Sequence, residues 1–476
     1  MKKFNKTFFN RRSAVSFATI FDNTYTILHT KFNEMSLKTA VLAIVFSAAA
    51  SALSAQNDTH SPATTINPSE HATNPSTEGH LNAAHDACSP EEESKTKYDP
   101  VPAVMHHIGD ANQFHIVGNL HFPLPIFAYD TEGGLTAGLS TMFHDGERAV
   151  NGFVLAHDVL KKAKGLPKGE LELEVVHTDE SGAKHYAFSK EEALPNGKKQ
   201  DVYFVKYQGQ CYELEESRKL TNKASWIDFS ITKNVFTMLF AFGLIAWLFS
   251  KTANYYKNNK GKAPNGLVNL AEVFVVFIRD EVAKPSIGDK YEKYMSLLLS
   301  LFFFILFNNL LGLIPFFPFG SNVMGNISMT IVLALIIFFT VLFNGNKNYW
   351  KHIFWMPDVP IAIKVLMMPI EVMSIFVKPF TLLIRLFANV TAGHVIILTF
   401  VSLIFVFGNA GHSLAGSAAG MLVAVPFTAF MNLLELLVAF LQAFIFTLLS
   451  AIYIGAAIEE HHHDAAHAHE PEERFV

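Results

Sequence analysis

An arginine, a histidine and a glutamate sit inside segments otherwise too apolar to hold them without a use. The stretch KPFTLLIRLFANVTAGHVIILTF, residues 378–400, has Arg385 near its centre, Asn389 one helical turn on and His394 further along. A second stretch, LLELLVAFLQAFIFTLL, carries Glu435 and Gln442, with Asn432 just ahead of it. A central arginine costs roughly 2.5–3.5 kcal/mol on translocon scales, and intramembrane ionisable residues mark ion or proton paths. His394 and Glu435 are a base and an acid able to exchange protons. Arg385 cannot lose its proton, which makes it a poor relay and a good fixed positive charge. Such a charge attracts a carboxylate and repels protons passing straight through, as an electrostatic gate would.

Each residue of a helix advances about 100°. Arg385 and Asn389, four apart, therefore share a face, and Glu371, Lys378 and Arg385 repeat every seven residues along one charged stripe. His394 lies nine positions beyond Arg385, on nearly the opposite side, so a single buried ion pair would not explain both faces. Asn432, Glu435 and Gln442 fall at i, i+3 and i+10 and are expected on a common face. A purely structural reading stands beside the functional one: Arg385 pairs with Glu371 or Glu435, and His394 bonds a backbone carbonyl. Glu371 and Lys378, nearer the start of their segment, can also snorkel toward the interface.

The elements that must position these groups are membrane helices. The chain has 476 residues, half of them hydrophobic, with 44 Phe concentrated in blocks, which points to an integral membrane protein rather than a large soluble core. Candidate spans are 230–250, 294–316, 327–344, 365–407 and 421–457. The last two exceed the roughly 20 residues needed to cross hydrocarbon, so they must be steeply inclined or broken. Lys251, Lys257, Lys260 and Lys262 follow the first span, and Lys347 and Lys351 follow the third. Five spans with an outside N-terminus and a cytoplasmic C-terminus satisfy that bias. There is no basic face for nucleic acid, no phosphate-binding glycine loop, and no cofactor is expected.

Ahead of the spans, residues 1–55 form a basic leader ending in a signal-peptide layout, with Met35 a candidate true start and an A-x-A site at 50–52. Residues 56–98 read as a polar disordered linker. Residues 99–224 become globular, with alternating runs such as GELELEVVH and DVYFVKYQGQCYELEE that predict a small exported β-rich domain. The membrane channel domain is placed at 225–460 and a His/Glu-rich tail at 461–476. His106, His107, His115 and His121 lack metal-ligand spacing and read as ordinary surface or core histidines. If this half is exported, Cys88 and Cys211 can form a disulfide.

The pattern resembles a known family, subunit a of the rotary F-type ATP synthase. The likeness rests on RLFANVTAGH (385–394) and LLVAFLQAFIFTLLSAIYIGAAIEEH (436–461), supported by FIRDEVAKPSIG (277–288) and FNNLLGLIPF (307–316). It implies a membrane all-α fold of five spans, here preceded by the extra β-rich domain, in the cell inner membrane with that domain periplasmic. Arg385 would be the essential arginine facing the carboxylates of a c-ring, with Asn389 and Gln442 its polar neighbours. His394 and Glu435 would line an aqueous half-channel, and Asn309 would be a polar entry position. Gly312 stands where some members carry an aspartate. Glu371, Lys378 and Asn432 are possible secondary groups. Implied partners are the c-ring, b-type peripheral stalk subunits, the F1 sector and lipid, and no catalytic site of its own is expected. The β-rich domain gains no role from the resemblance; a cap around the channel mouth or a stator contact is the expectation. The competing reading is a His-rich secondary metal-cation transporter, suggested by HHHDAAHAH (461–469). Such transporters are usually built from inverted repeats, and no internal repetition is visible here.

Overall fold

The structure is a computed structural model that describes residue 104 and residues 108–458, apart from stretches at 118–119, 132, 179–183, 194–198, 218–224, 261, 315–319, 356–359 and 409–412. The expected leader, linker and His-rich tail lie outside the described residues, as do His106 and His107. Cys211 is disulfide-bonded, and Cys88, the only other cysteine of the chain, also lies outside them.

The N-terminal part is β-rich, as its alternating runs predict. In the strand Pro125–Asp130, Ile126, Ala128 and Asp130 point inward while Phe127 and Tyr129 point out, the period of two that a pleated strand imposes. This strand pairs antiparallel with Gly134–Leu139 on one side and Trp226–Asp228 on the other. A seven-stranded antiparallel sheet runs in the spatial order Ala187–Ala193, Lys199–Tyr207, Gln210–Glu215, Val159–Ala163, Phe153–Ala156, Arg148–Val150, Glu170–Glu172. The hairpin between its second and third strands closes on Gln208 and Gly209, both at positive φ (50° and 73°), as a tight turn matched to strand twist requires. Ile126, Phe143, Phe153, Leu155 and Trp226 fill a core between the two sheets.

The β-rich part is welded to the first helix. The backbone N–H of Phe229 donates to Phe127 O (2.8 Å), Ile231 to Pro125 O (3.0 Å) and Lys233 to Ala111 O (2.8 Å). The helices, in chain order, are α1 (Lys233–Asn258), α2 (Leu267–Phe277), a π-turn (Ile278–Ala283), α3 (Lys284–Ile287), α4 (Tyr291–Gly312), α5 (Ile327–Asn344), α6 (Lys347–Phe354), α7 (Ile361–Phe407) and α8 (Leu414–Ile458). The Phe236 ring of α1 packs against Phe114 and Phe122 of the β-rich part at 5.7 and 6.2 Å.

Five helical stretches are long and apolar enough to cross a membrane: Lys233–Asn258, Leu267–Gly312, Ile327–Asn344, Ile363–Phe407 and Leu414–Ile458. Their number matches the sequence expectation; the start of the second does not. It begins at Leu267 because the 11 mostly apolar residues of α2, too few to cross alone, run through the π-turn and α3 into α4. In the π-turn Arg279 grips Asp280 with two hydrogen bonds (2.9 and 2.7 Å), and Lys284 reaches the same carboxylate at 2.7 Å. At 47 and 45 residues, α7 and α8 are each about 70 Å long at 1.5 Å per residue, more than twice the hydrocarbon thickness.

The ends alternate in space. The α4–α5 connection meets the start of α1 through a hydrogen bond from Ser321 Oγ to Asn234 Oδ1. The α5–α6 connection meets the end of α8, with Asn346 N donating to Ala457 O (2.9 Å) and Asn346 Nδ2 to Ile458 O (2.7 Å). The β-rich part and the C-terminal end of α8 thus lie at opposite ends of the bundle.

Candidate functional site

Asn309, His394 and Glu435 come together where α4, α7 and α8 pack, and Asn389 meets Gln442 between α7 and α8. Small residues set the approach. A Cβ on Gly393 of α7 would lie 2.8 Å from Glu435 Oε1, and one on Gly312 of α4 would lie 3.5 Å from His394 Nε2. Glycine at these two positions leaves space for the carboxylate and the imidazole. His394 Nε2 then stands 3.8 Å from Glu435 Oε1, with the side chains 17% and 9% exposed. The other carboxylate oxygen, Glu435 Oε2, is buried and meets no hydrogen-bond donor among the described residues.

One turn further along α8, the Ala439 carbonyl accepts a hydrogen bond from Asn309 Nδ2 of α4 (3.4 Å). Asn309 Oδ1 is buried and unpartnered among the described residues. Asn389 Nδ2 donates to Gln442 Oε1 at 3.0 Å, tying α7 to α8. Glu435 and Gln442 share a buried face of α8, as their spacing predicts. Asn432 does not share that environment. It is exposed and lines a shallow cleft with Val401, Ile404 and Thr428. It precedes Glu435 by three residues, an offset of about 60°, and the buried strip of α8 is narrow enough there for that to matter.

Arg385 is half-buried on α7. Among the described residues it forms no ion pair with a carboxylate, so neither Glu371 nor Glu435 is its partner. Lys378 Nζ stands 5.7 Å from the centre of the Tyr453 ring of α8. Nine residues separate Arg385 from His394, about 13 Å along the helix. Glu371 lies toward α6, where burial first and its charge second push the Tyr349 hydroxyl up. Sequence reasoning missed Tyr453 and the spatial roles of Gly312 and Gly393. The signals were present, since Tyr453 lies within a quoted motif and both glycines interrupt apolar helices.

A bundle of apolar helices that encloses an acid, a base and a separate fixed cation defines a polytopic membrane protein of the ion-conducting kind. Comparison with known proteins is specific. A family model described as ATP synthase A chain matches residues 235–455. ATP synthase subunit a from Chlorobium phaeobacteroides (strain BS1) is 44% identical over 248 residues, covering 51% of this chain and 70% of that protein. ATP synthase subunit a 2 from Prosthecochloris aestuarii is 42% identical, covering 51% of this chain and 73% of its own length. ATP synthase subunit a from Anaeromyxobacter dehalogenans is 35% identical, covering 56% and 70%. The chain belongs to the ATP synthase subunit a family. Residues 103–186 match a model described only as a domain of unknown function.

Proposed function

We propose that this chain is the stator channel subunit of the F0 sector of a rotary ATP synthase, offering protons two half-channels to a c-ring. The observation that carries this reading is the separation of roles on α7: an arginine with no carboxylate partner among the described residues, and beyond it an acid–base pair. A proton entering from the outer side passes Asn309, His394 and Glu435 and neutralises a carboxylate on a c subunit, which then turns into lipid. After nearly a full rotation that carboxylate meets the second half-channel near Arg385 and releases its proton inward. Arg385 keeps the paths apart and draws the ionised carboxylate back, while Asn389 and Gln442 brace the helices beside it. Each proton supplies about 2.3 kcal/mol per 100 mV. The chain breaks no bonds itself; the F1 sector does the chemistry, and b-type subunits hold the stator.

The location proposed is the cell inner membrane, with the β-rich part periplasmic and the C-terminus cytoplasmic. Supporting this, Lys251 and Lys257 lie at the end of α1 remote from the β-rich part, and Lys347 and Lys351 lie in α6, beside the end of α8. Lysines gathered at one end are expected inside. The remaining boundaries, 1–55, 56–98, 99–224, 225–460 and 461–476, belong to the same proposal.

The test is ATP-driven acidification of inverted membrane vesicles, comparing the native chain with Arg385→Ala and recording passive leak in parallel. Lost pumping with an assembled complex, together with a raised leak, is the expected result. Unchanged pumping would make Arg385 structural and overturn the mechanism.

A further inference from the structure

We infer that the β-rich region builds the outer mouth of the proton path. In this arrangement Asp110, Asn234 and Thr237 of α1, and Ser321 and Asn322 of the α4–α5 connection line a route for hydrated protons toward His394 and Glu435. The inference rests on the channel reading above and adds to it a route and a role for the β-rich region.

A chain of contacts marks the route. Asp110 Oδ1 accepts the backbone N–H of Asn234 at 3.1 Å. Asn234 Oδ1 accepts from Ser321 Oγ. The Ser321 carbonyl and His394 Nε2 both approach Gly312, 3.2 and 3.5 Å from where its Cβ would be. His394 then reaches Glu435. The chain begins in the β-rich region and ends at the acid–base pair.

The second observation is independent of those contacts. Thr237 Oγ1, Asn308 Oδ1, Asn309 Oδ1, Asn322 Nδ2 and Glu435 Oε2 are all buried, with no hydrogen-bond partner among the described residues. Their residues are between 0% and 8% exposed. An unsatisfied buried polar atom costs about 1–3 kcal/mol, so a protein keeps few of them without a reason. Several other hydroxyls on these helices avoid the cost by bonding back one turn, though Thr428 Oγ1 of α8 does not. Thr252 donates to Leu248 O, Thr447 to Ala443 O and Ser450 to Phe446 O, each at 2.7–2.8 Å. Thr237 lies on the same buried stripe of α1 as Asn234 and Thr252 and does not. Polar atoms held ready between the outer end of α1 and Glu435 fit a path that water and protons share.

The experiment uses the assembled complex. Thr237→Cys and Ser321→Cys are made singly. Right-side-out vesicles are treated from outside with a membrane-impermeant cationic methanethiosulfonate, then inverted and assayed for ATP-driven acidification against their own untreated samples. Leu248→Cys, three turns deeper on the same stripe, and the unsubstituted chain are treated in parallel. Loss of most pumping on treatment of either outer variant, with both controls unaffected, is the result expected. Insensitivity of both outer variants, or equal sensitivity of Leu248→Cys, would overturn the route. If one outer variant fails to assemble, the other decides. The channel reading fails separately: it falls if Arg385→Ala pumps normally, whereas a dead Arg385→Ala beside insensitive outer variants sinks only the route.

Discussion

In the β-rich region Asp130 is 2% exposed, and Lys162 Nζ meets its Oδ1 at 2.8 Å while also donating to Ser225 Oγ at 3.0 Å. Lys161, 6% exposed, lies 3.3 Å over the centre of the Tyr203 ring. In the helical bundle Glu435 is 8% exposed, yet His394 stands beyond hydrogen-bond distance at 3.8 Å and Oε2 has no donor among the described residues. Arg385 forms no ion pair with a carboxylate among the described residues. Where the fold buries charge for its own stability it supplies partners at close range. Where it leaves charge under-satisfied, the channel proposed above supplies the missing partner as something that arrives and leaves, a proton or a passing carboxylate.

The largest effect that tests this contrast is Lys162→Met. It strands the Asp130 charge, and breaking a buried pair costs about 3–5 kcal/mol. Thermal unfolding of the full chain, followed through loss of β-sheet circular dichroism, is expected to shift down sharply. The double variant Lys162→Met with Asp130→Leu is expected to recover most of the loss, because no charge is then left alone. If the single variant melts with the native chain, the ion pair is not structural and the contrast fails on its β-rich side.

The opposite outcome is expected for Glu435→Gln. It preserves shape and removes a titrating group that nothing holds tightly, so stability changes by less than about 1 kcal/mol while ATP-driven pumping falls. Exchanging the pair, His394→Glu with Glu435→His, keeps one acid and one base in the same space. That variant is expected to pump better than either single substitution. A large drop in the melting temperature of Glu435→Gln, with pumping retained, would make the glutamate a structural group.

Polar and charged residue types inside apolar segments singled out Arg385, His394, Glu435 and Gln442, and the helical period put Arg385 and His394 on different faces of α7. It could not match α7 to α8, because the alignment of two helices depends on close approach at particular points. Gly393 of α7, whose missing Cβ leaves room for Glu435 of α8, marks that alignment, and small residues carry little signal in an apolar run. Asn432 shows the limit from the other side: its nominal face was right to within about 60°, and that was enough to leave it exposed. α2 escaped notice as part of a span because its 11 residues fall below the length that hydrophobicity alone reads as a crossing. The strand Pro125–Asp130 was legible from its alternation. The sheet order was not, since Val159–Ala163 pairs with Gln210–Glu215 across some fifty residues of chain that no local pattern connects.

The smallest effect tests the seam between the two regions. Asp110 accepts hydrogen bonds from the backbone of Ala111 (3.0 Å) and Asn234 (3.1 Å). Burial nevertheless outweighs these bonds, the Thr232 hydroxyl and the Lys233 charge, and raises its pKa above the ordinary value of 3.8. An acid that holds its proton more tightly when folded adds stability in full below the unfolded pKa, and that contribution is lost as pH rises through the folded value. The native chain is therefore expected to lose stability from just below pH 4 upward until Asp110 is ionised, and Asp110→Asn to remove that part of the decline. Melting temperatures of the two chains, measured from pH 4 to 7, should diverge in favour of the variant and then run parallel. Divergence in favour of the native chain would mean that the N–H bonds outweigh burial, so that Asp110 serves α1 as a charged cap. The seam would then follow the rule of the β-rich region, with every buried charge satisfied.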